Sequence, residues 1–235
     1  MKIAMWSGPR NLSTAMMYSF GARSDCAVWD EPFYASYLAT TGLDHPMRGE
    51  ILAAGEQDAA KVAARCVGEN PNGAPHFYQK HMTQHMIDGV DRSWMKQVNN
   101  VFLIRHPARV IASYAKKRQG PTLDDIGFWQ QAELFEQCYD PIVIDSHDIR
   151  ENPEGMLTAL CSALGLPFDP AMLTWLAGGH ADDGAWAPHW YGAVHNSTGF
   201  AGAEGPLPQL SGDYAELTGK ALPFYRKLAA AKISA

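Results

Sequence analysis

Residues 1–14 read Met-Lys-Ile-Ala-Met-Trp-Ser-Gly-Pro-Arg-Asn-Leu-Ser-Thr, a short apolar run that breaks into a small, polar, basic turn. The helix-like stretch Ala15–Phe20 follows at once. A strand that leads through a loop into a helix can bind a phosphate-like anion, because free backbone N–H groups and the positive helix end face the ligand. Arg10 adds a planar cationic donor group, and Ser13 and Thr14 add hydroxyl donors. The stretch therefore predicts an anion-binding loop after the first strand.

The loop differs from a Walker A sequence. The glycine-lysine pair that precedes the hydroxyl residue there is absent, and Leu12-Ser13-Thr14 stands in its place. We therefore expect an anion ligand other than a nucleoside triphosphate held with magnesium.

Composition sets the class of protein. With 235 residues, 46% hydrophobic and 19% charged, the chain suits one globular domain spanning residues 1–235. Its net charge of -6 argues against a general nucleic-acid binder, which would show a basic surface. Arg10, Lys80 and Arg105 nevertheless fall near predicted strand ends, which indicates a local anion pocket.

Cysteine usage and hydropathy indicate a cytoplasmic protein. The cysteines match no metal or redox spacing and are expected as small buried residues of a reducing compartment; they are Cys26, Cys66, Cys138 and Cys161. No apolar run is long enough to span a membrane, and the N-terminus lacks the apolar core of a signal peptide. We expect no membrane association.

Apolar runs alternate with helix-like segments along the chain. The predicted strands are Ile3–Trp6, Ala27–Trp29, His76–Gln79, Val101–Ile104 and Pro141–Ile144. The predicted helices are Ala15–Phe20, Ala59–Val67, Ala108–Lys117, Leu123–Cys138, Pro153–Leu164 and Tyr214–Leu228, and residues 42–58 are expected to form a surface excursion. This alternation predicts a three-layer α/β/α fold with a mostly parallel sheet of about five strands.

Residues 178–212 break the pattern. They are rich in Gly, Pro, Trp and His, and an irregular stretch of this length in a compact domain is more often functional than a simple connection. We expect it to cover the active site. Its aromatic cluster, Trp186, Trp190 and Tyr191, suits either stacking on a ring-shaped ligand or packing under the segment.

A second polar cluster follows the fourth predicted strand. Arg105-His106-Pro107 ends that strand, and Ser113-Tyr114 lies about two turns into the next helix. Ligands of open α/β sheets bind at the carboxyl ends of strands, so Arg105 is well placed. Ser113 would reach the same point only if its helix packs beside the first loop.

The two clusters, in this order, resemble the sulfotransferase family that uses 3′-phosphoadenosine 5′-phosphosulfate (PAPS) and has a P-loop nucleoside-triphosphate-hydrolase-like fold. The segment Ile142–Ile149 with Asn152-Pro153 is similar to a later part of that family, so the resemblance covers residues 1–170. It implies transfer of a sulfuryl group to a hydroxyl of a small-molecule or carbohydrate acceptor, with no metal. The oligomeric state stays open.

The resemblance also implies roles for individual residues. The first loop would bind the 5′-phosphosulfate, with Arg10 also acting in catalysis, and Arg105 and Ser113 would bind the 3′-phosphate. The loop residues are Gly8, Pro9, Arg10, Asn11, Leu12, Ser13 and Thr14. Leu12 stands where the family has a small residue. His195–Phe200 lies where a late loop completes the 3′-phosphate site, but it has no basic residue beyond the histidine.

Sulfuryl transfer needs a base for the acceptor hydroxyl and cations for the charge that develops. Glu31, after the second strand, and His81, after the third, are the two candidates, with Glu31 preferred. Lys80 is expected to contact the leaving group.

Other interpretations remain open from the sequence. In a P-loop kinase or nucleotide hydrolase, Asp145 would hold magnesium. A non-catalytic nucleotide-binding module would bind adenosine 3′,5′-bisphosphate without turnover. His81 and His85 have the spacing of zinc ligands on a helix, but no third ligand is evident.

Overall fold

The computed structural model describes residues 1–235, and its core is one five-stranded parallel sheet. The strand order is β2-β3-β1-β4-β5. The strands are β1 (Lys2–Ser7), β2 (Cys26–Asp30), β3 (His76–Met82), β4 (Asn99–Ile104) and β5 (Ile142–Asp145). All five predicted strands are therefore confirmed.

Twelve helices surround the sheet. They are α1 (Ser13–Gly21), α2 (Tyr34–Thr41), α3 (Arg48–Ala54), α4 (Ala59–Val67), α5 (Pro107–Tyr114), α6 (Leu123–Ile126), α7 (Phe128–Gln137), α8 (Ser146–Glu151), α9 (Pro153–Leu164), α10 (Ala187–Trp190), α11 (Gly192–His195) and α12 (Gly212–Ala229). No helix combines the length and the apolar character that crossing a bilayer would need.

Alternate residues of the central strands face two separate hydrophobic cores. Ile3 and Met5 of β1 pack in a core with residues of α1 and α9. Ala4 and Trp6 face the opposite core, which includes residues of α4, α7 and α12. Strands buried on both faces and covered by helices on both sides form the three-layer α/β/α arrangement predicted from the sequence.

Two helix predictions and the prediction of a surface excursion over residues 42–58 need correction. The helix predicted over 108–117 ends at Tyr114. The helix predicted over 123–138 is broken at Gly127, which adopts a φ of 71° and whose carbonyl accepts a hydrogen bond from the Thr83 hydroxyl at 3.0 Å. The excursion 42–58 contains a helix, α3, because Ile51 on its inner face is buried against α2 and α10.

All strands run in the same direction, so their carboxyl ends lie at one edge of the sheet. The chain leaves β1, β2, β3 and β4 at that edge through the segments that start at Gly8, Glu31, Thr83 and Arg105. Since β1 is central and its neighbours are β3 and β4, this edge is where ligands of open α/β sheets bind.

Candidate functional site

The loop between β1 and α1 has a tightly constrained backbone. Arg10 and Leu12 both adopt left-handed conformations, with φ of 63° and 70°. Asn11 between them is buried, and its Nδ2 donates to the carbonyl of Leu103 on β4 at 3.2 Å. Non-glycine residues rarely adopt positive φ without a structural reason. The loop is thus held in one shape by its attachment to the sheet.

This loop leads into a helix end with free donors. The first backbone hydrogen bond of α1 runs from Met16 N to Leu12 O at 3.1 Å. The N–H groups of Ser13, Thr14 and Ala15 therefore have no partner within the helix. These three residues line a cleft of about 410 Å³ at the carboxyl edge of the sheet. A helix end of this kind attracts an anion.

Arg10, Ser113 and Arg105 meet at this loop. Arg10 Nε donates to Ser113 Oγ at 3.0 Å, across 103 residues of sequence. Arg105 Nη1 donates to the carbonyl of Arg10 at 2.5 Å. Burial and the nearby Arg105 charge lower the pKa of Arg10. Arg105 also pairs with Glu204, whereas Arg10 has no acidic partner, which favours a negatively charged ligand beside Arg10.

On the other side of the cleft lies a buried charged cluster. Lys80 Nζ donates to Asp30 Oδ1 at 2.9 Å, to Glu31 Oε1 at 2.6 Å and to the hydroxyl of Tyr191 at 2.5 Å. The Tyr191 hydroxyl in turn donates to Asp30 Oδ2 at 2.8 Å. All three ammonium protons of Lys80 are thus engaged within the protein.

Burial and charge set the ionisation of this cluster. Burial raises the pKa of Glu31 above its usual 4.5, and the attraction of Lys80 does not cancel the rise. Burial on its own would lower the pKa of Lys80, but the carboxylates of Asp30 and Glu31 outweigh it and raise the pKa. The cluster therefore holds a charged lysine beside a carboxylate that binds a proton more readily than usual.

His81 lies outside the cleft. Its ring stacks on Trp6 with centroids 4.5 Å apart, and its Nε2 contacts Gln79 Oε1 at 3.1 Å. Burial lowers the pKa of His81 to about 3. Strand β3 continues to Met82, so His81 and His85 do not share a helix face, and no group of three His, Cys, Asp or Glu side chains could hold a metal ion.

His85 lines the cleft although its sequence context gave no reason to expect it there. The ring is buried and stacks on Tyr34 and Tyr37, with centroids 4.7 Å and 4.8 Å away. Burial lowers the pKa of His85 well below 6.5, and its Nδ1 has no hydrogen-bond partner. This end of the cleft is therefore mainly aromatic, with Arg118 as a charged residue of its lining.

Residues from the segment 178–212 complete the cleft. Tyr191 and Trp186 are buried in a small core with Tyr34, and Trp186 Nε1 donates to the Tyr191 hydroxyl at 2.7 Å. Trp190 is half-buried and lines the cleft. Trp186 thus serves packing and hydrogen bonding, whereas Trp190 and Tyr191 also line the cleft.

Near Arg105, one carboxylate from the same segment is surrounded by arginines. Glu204 pairs with Arg105, with Arg109 at 3.0 Å and with Arg150 at 2.8 Å. Arg109 lies within the second polar cluster and Glu204 within residues 178–212, but no sequence pattern indicates that they meet Arg150. No signal short of the structure could have identified this group.

Two other sequence candidates have structural partners. Asp145 is buried; its Oδ1 caps α8 by accepting from His147 N at 2.9 Å, and its Oδ2 accepts from the Tyr225 hydroxyl at 2.7 Å. Gly8 packs so closely on α6 that an added Cβ would lie 2.5 Å from the carbonyl oxygen of Ile126. Gly8 therefore allows the loop to approach α6.

Comparison with known proteins identifies the family. A model of the sulfotransferase domain matches residues 1–232. The chain belongs to the sulfotransferase domain family. The family resemblance seen in the two polar clusters is therefore confirmed.

Two curated relatives of this sulfotransferase domain come from Arabidopsis thaliana. Branched-chain-amino-acid aminotransferase-like proteins 1 and 2 are 35% and 33% identical to it over 230 residues, which is 96% of this chain. The chain spans 41% of the length of each.

Solved structures support the fold. The sulfotransferase domain of the Synechococcus PCC 7002 olefin synthase aligns with a TM-score of 0.58 at 18% identity, covering 93% of both chains. The sulfotransferase domain from the curacin biosynthetic pathway aligns with a TM-score of 0.57 at 15% identity, covering 100% of this chain and 98% of the other. The predicted fold class is confirmed.

Proposed function

We propose that this sulfotransferase domain transfers a sulfuryl group from PAPS to a hydroxyl of a small-molecule or carbohydrate acceptor. The observation that carries the proposal is the meeting of Arg10, Arg105 and Ser113 at the N-terminus of α1. Two basic residues 95 positions apart in sequence lie at one loop, where they can hold the two anionic ends of one nucleotide.

The donor fits the free polar groups of the cleft. The N–H groups of Ser13, Thr14 and Ala15 and the terminal nitrogens of Arg10 would hold the 5′-phosphosulfate, and Pro9, Asn11 and Leu12 would shape its loop. Arg105 and Ser113 would hold the 3′-phosphate. Arg105 Nε and Asn11 Oδ1 are buried without partners, and such atoms are costly unless a ligand satisfies them.

Glu31 is the proposed base. It lines the cleft, and its raised pKa brings it closer to the range in which a carboxylate accepts a proton efficiently at neutral pH. The acceptor hydroxyl would lose its proton to Glu31 as its oxygen bonds to sulfur. The bond from sulfur to the 5′-phosphate oxygen would break at the same time and release adenosine 3′,5′-bisphosphate.

Lys80 has a supporting role in this proposal. Because its three protons are engaged by Asp30, Glu31 and Tyr191, it orients Glu31 rather than contacting the leaving group. Arg10 and the α1 N-terminus would stabilise the charge that develops on the leaving oxygen. His81, the second candidate, is shielded from the cleft by its stacking on Trp6.

Residues 178–212 are proposed to cover the active site within a single domain of residues 1–235. The support is that Trp190, Tyr191, Ala193, Val194, Ser197, Gly199 and Ala201 line the cleft. A cover of this kind excludes water, which would otherwise compete with the acceptor for the sulfuryl group.

Nucleotide binding tests the proposal. Adenosine 3′,5′-bisphosphate and ADP would each be titrated calorimetrically, with magnesium and with EDTA. We expect tighter binding of the bisphosphate, unaffected by EDTA. Preference for ADP with magnesium would contradict the proposal and favour a kinase-like activity. Bisphosphate binding without turnover of any hydroxyl acceptor would indicate a non-catalytic module.

A further inference from the structure

Three arginines converge on the Glu204 carboxylate. Arg105 follows β4, Arg109 lies one turn later on α5, and Arg150 belongs to α8 after β5. None of the three has another acidic partner within ion-pair distance. The segment after β4, helix α5 and helix α8 thus each direct one positive charge to the same point.

The charges at this point do not balance. Three guanidinium groups face one carboxylate, which leaves an excess of two positive charges around Glu204. The Glu204 side chain is only 3% exposed. Burial would raise the pKa of Glu204, but Arg105, with the charges of Arg109 and Arg150, lowers it, so the carboxylate stays ionised. A phosphate monoester dianion would neutralise the three arginines more completely than a carboxylate does.

The chain around Glu204 is held mainly by the same arginines. Arg150 Nε donates to the Gly202 carbonyl at 2.8 Å, and Arg109 donates to the Gly205 carbonyl. The flanking residues Ala201, Gly202, Ala203 and Gly205 are exposed. Few other contacts therefore oppose movement of Glu204 away from the arginines.

We propose that Arg105, Arg109 and Arg150 form a binding site for a phosphate monoester, and that Glu204 occupies it until the 3′-phosphate of the nucleotide displaces the carboxylate. The inference rests on the proposed function, since the nucleotide is its ligand. In the family resemblance, the loop at the position of His195–Phe200 completes the 3′-phosphate site, but here it has no basic residue beyond the histidine. Arg109 and Arg150 would supply the missing positive charge. Arg105 Nε, buried and unpartnered, is available to a further oxygen of that phosphate.

Because Glu204 of the same chain occupies the arginine site, it lowers the affinity of that site for the nucleotide. The nucleotide must compete with a carboxylate that is part of the chain, so its apparent affinity is lower than the arginines alone would give. Displacement would also free residues 201–205 whenever donor or product is bound. Re-entry of Glu204 would then favour product release.

The test is calorimetric titration of adenosine 3′,5′-bisphosphate and of ADP, which lacks the 3′-phosphate, on the wild type, Glu204→Gln and Arg150→Ala. We expect Glu204→Gln to bind the bisphosphate about tenfold more tightly and Arg150→Ala about tenfold more weakly. ADP affinity should be unchanged in both. Glu216→Gln and Lys220→Ala, exposed on α12, are matched charge controls expected to resemble the wild type.

The outcomes separate this inference from the proposed function. The inference is overturned if both variants bind the bisphosphate as the wild type does, or if the affinities for the bisphosphate and for ADP change equally. In either case the proposed function stands as long as the wild type binds the bisphosphate more tightly than ADP. A wild type without that preference would overturn the proposed function as well. Should Arg150→Ala fail to fold, Glu204→Gln decides alone, because unchanged bisphosphate affinity in this variant overturns the inference.

Discussion

Glu31 combines features that are individually uncommon. Its φ is 36°, its carboxylate is 2.6 Å from Lys80 Nζ, and its side chain lines the cleft. A strained backbone persists only where surrounding contacts hold it, as the Lys80 contact does here. The sequence pointed to Glu31 as a residue at a strand end. Burial raises its pKa, and the hydrogen bond from the Tyr191 hydroxyl, 160 residues away, partly opposes that rise.

Glu31→Gln should reduce the rate of sulfuryl transfer by about 100- to 10,000-fold, since the amide cannot accept the hydroxyl proton. The wild-type rate should fall as the pH drops through the Glu31 pKa, which lies above 4.5, because protonation would remove the proposed base. Bisphosphate release from PAPS, in the presence of an accepted hydroxyl compound, measures the rate. Glu216→Gln is the control. If Glu31→Gln transfers sulfuryl groups as fast as Glu216→Gln does, Glu31 is not the base.

His81 should make the free energy of unfolding depend on pH. Its pKa of about 3 in the folded protein lies below 6.5, so only the unfolded chain takes up this proton between those values. The free energy of unfolding should therefore decrease as the pH falls below 6.5, by about 1.4 kcal/mol per pH unit from this group. Urea unfolding at several pH values measures the slope.

His81→Gln should reduce that slope, whereas substitution of the exposed His189 should leave it unchanged. A slope identical in the wild type and His81→Gln would show that His81 is not held neutral by burial. The sequence could not assign His81 to the interior, because Trp6, the ring that it stacks on, belongs to a different strand.

Among the elements, the loop from β1 to α1 was predicted well because its pattern is local. An apolar run, a polar turn and a helical stretch follow one another within twenty residues. The break at Gly127 and the helix α3 were missed because tertiary contacts determine them: Thr83 fixes the first, and packing of Ile51 stabilises the second.

Gly8→Ala should destabilise the fold by about 1–3 kcal/mol, since the new methyl group would lie 2.5 Å from the Ile126 carbonyl oxygen and force the loop away from α6. Gly219→Ala is the matched control. Gly219 lies inside α12 with no atom near the position of an added Cβ, so alanine should stabilise by about 0.5–1 kcal/mol. Chemical denaturation measures the free energy of unfolding of both variants. If Gly8→Ala is as stable as the wild type, Gly8 does not pack closely on α6.

For the whole molecule, the strand pattern was enough to predict the sheet and the edge at which the polar clusters meet. It was not enough to predict the site's long-range contacts, such as Lys80 with Tyr191 across 111 residues or Arg105 with Glu204 across 99. Those contacts depend on how residues 178–212 fold back over the sheet. Their sequence carries no periodicity from which that path could be derived.

The pairing of Arg10 with Arg105 at one loop is the central claim, and calorimetric titration of adenosine 3′,5′-bisphosphate tests it most directly. Arg105→Ala should lose roughly 2–4 kcal/mol of binding free energy relative to the wild type, because it would remove the proposed charge-assisted contact to the 3′-phosphate. Lys220→Ala, which removes an exposed charge, should bind as the wild type does. Equal affinity of Arg105→Ala and the wild type would contradict the account.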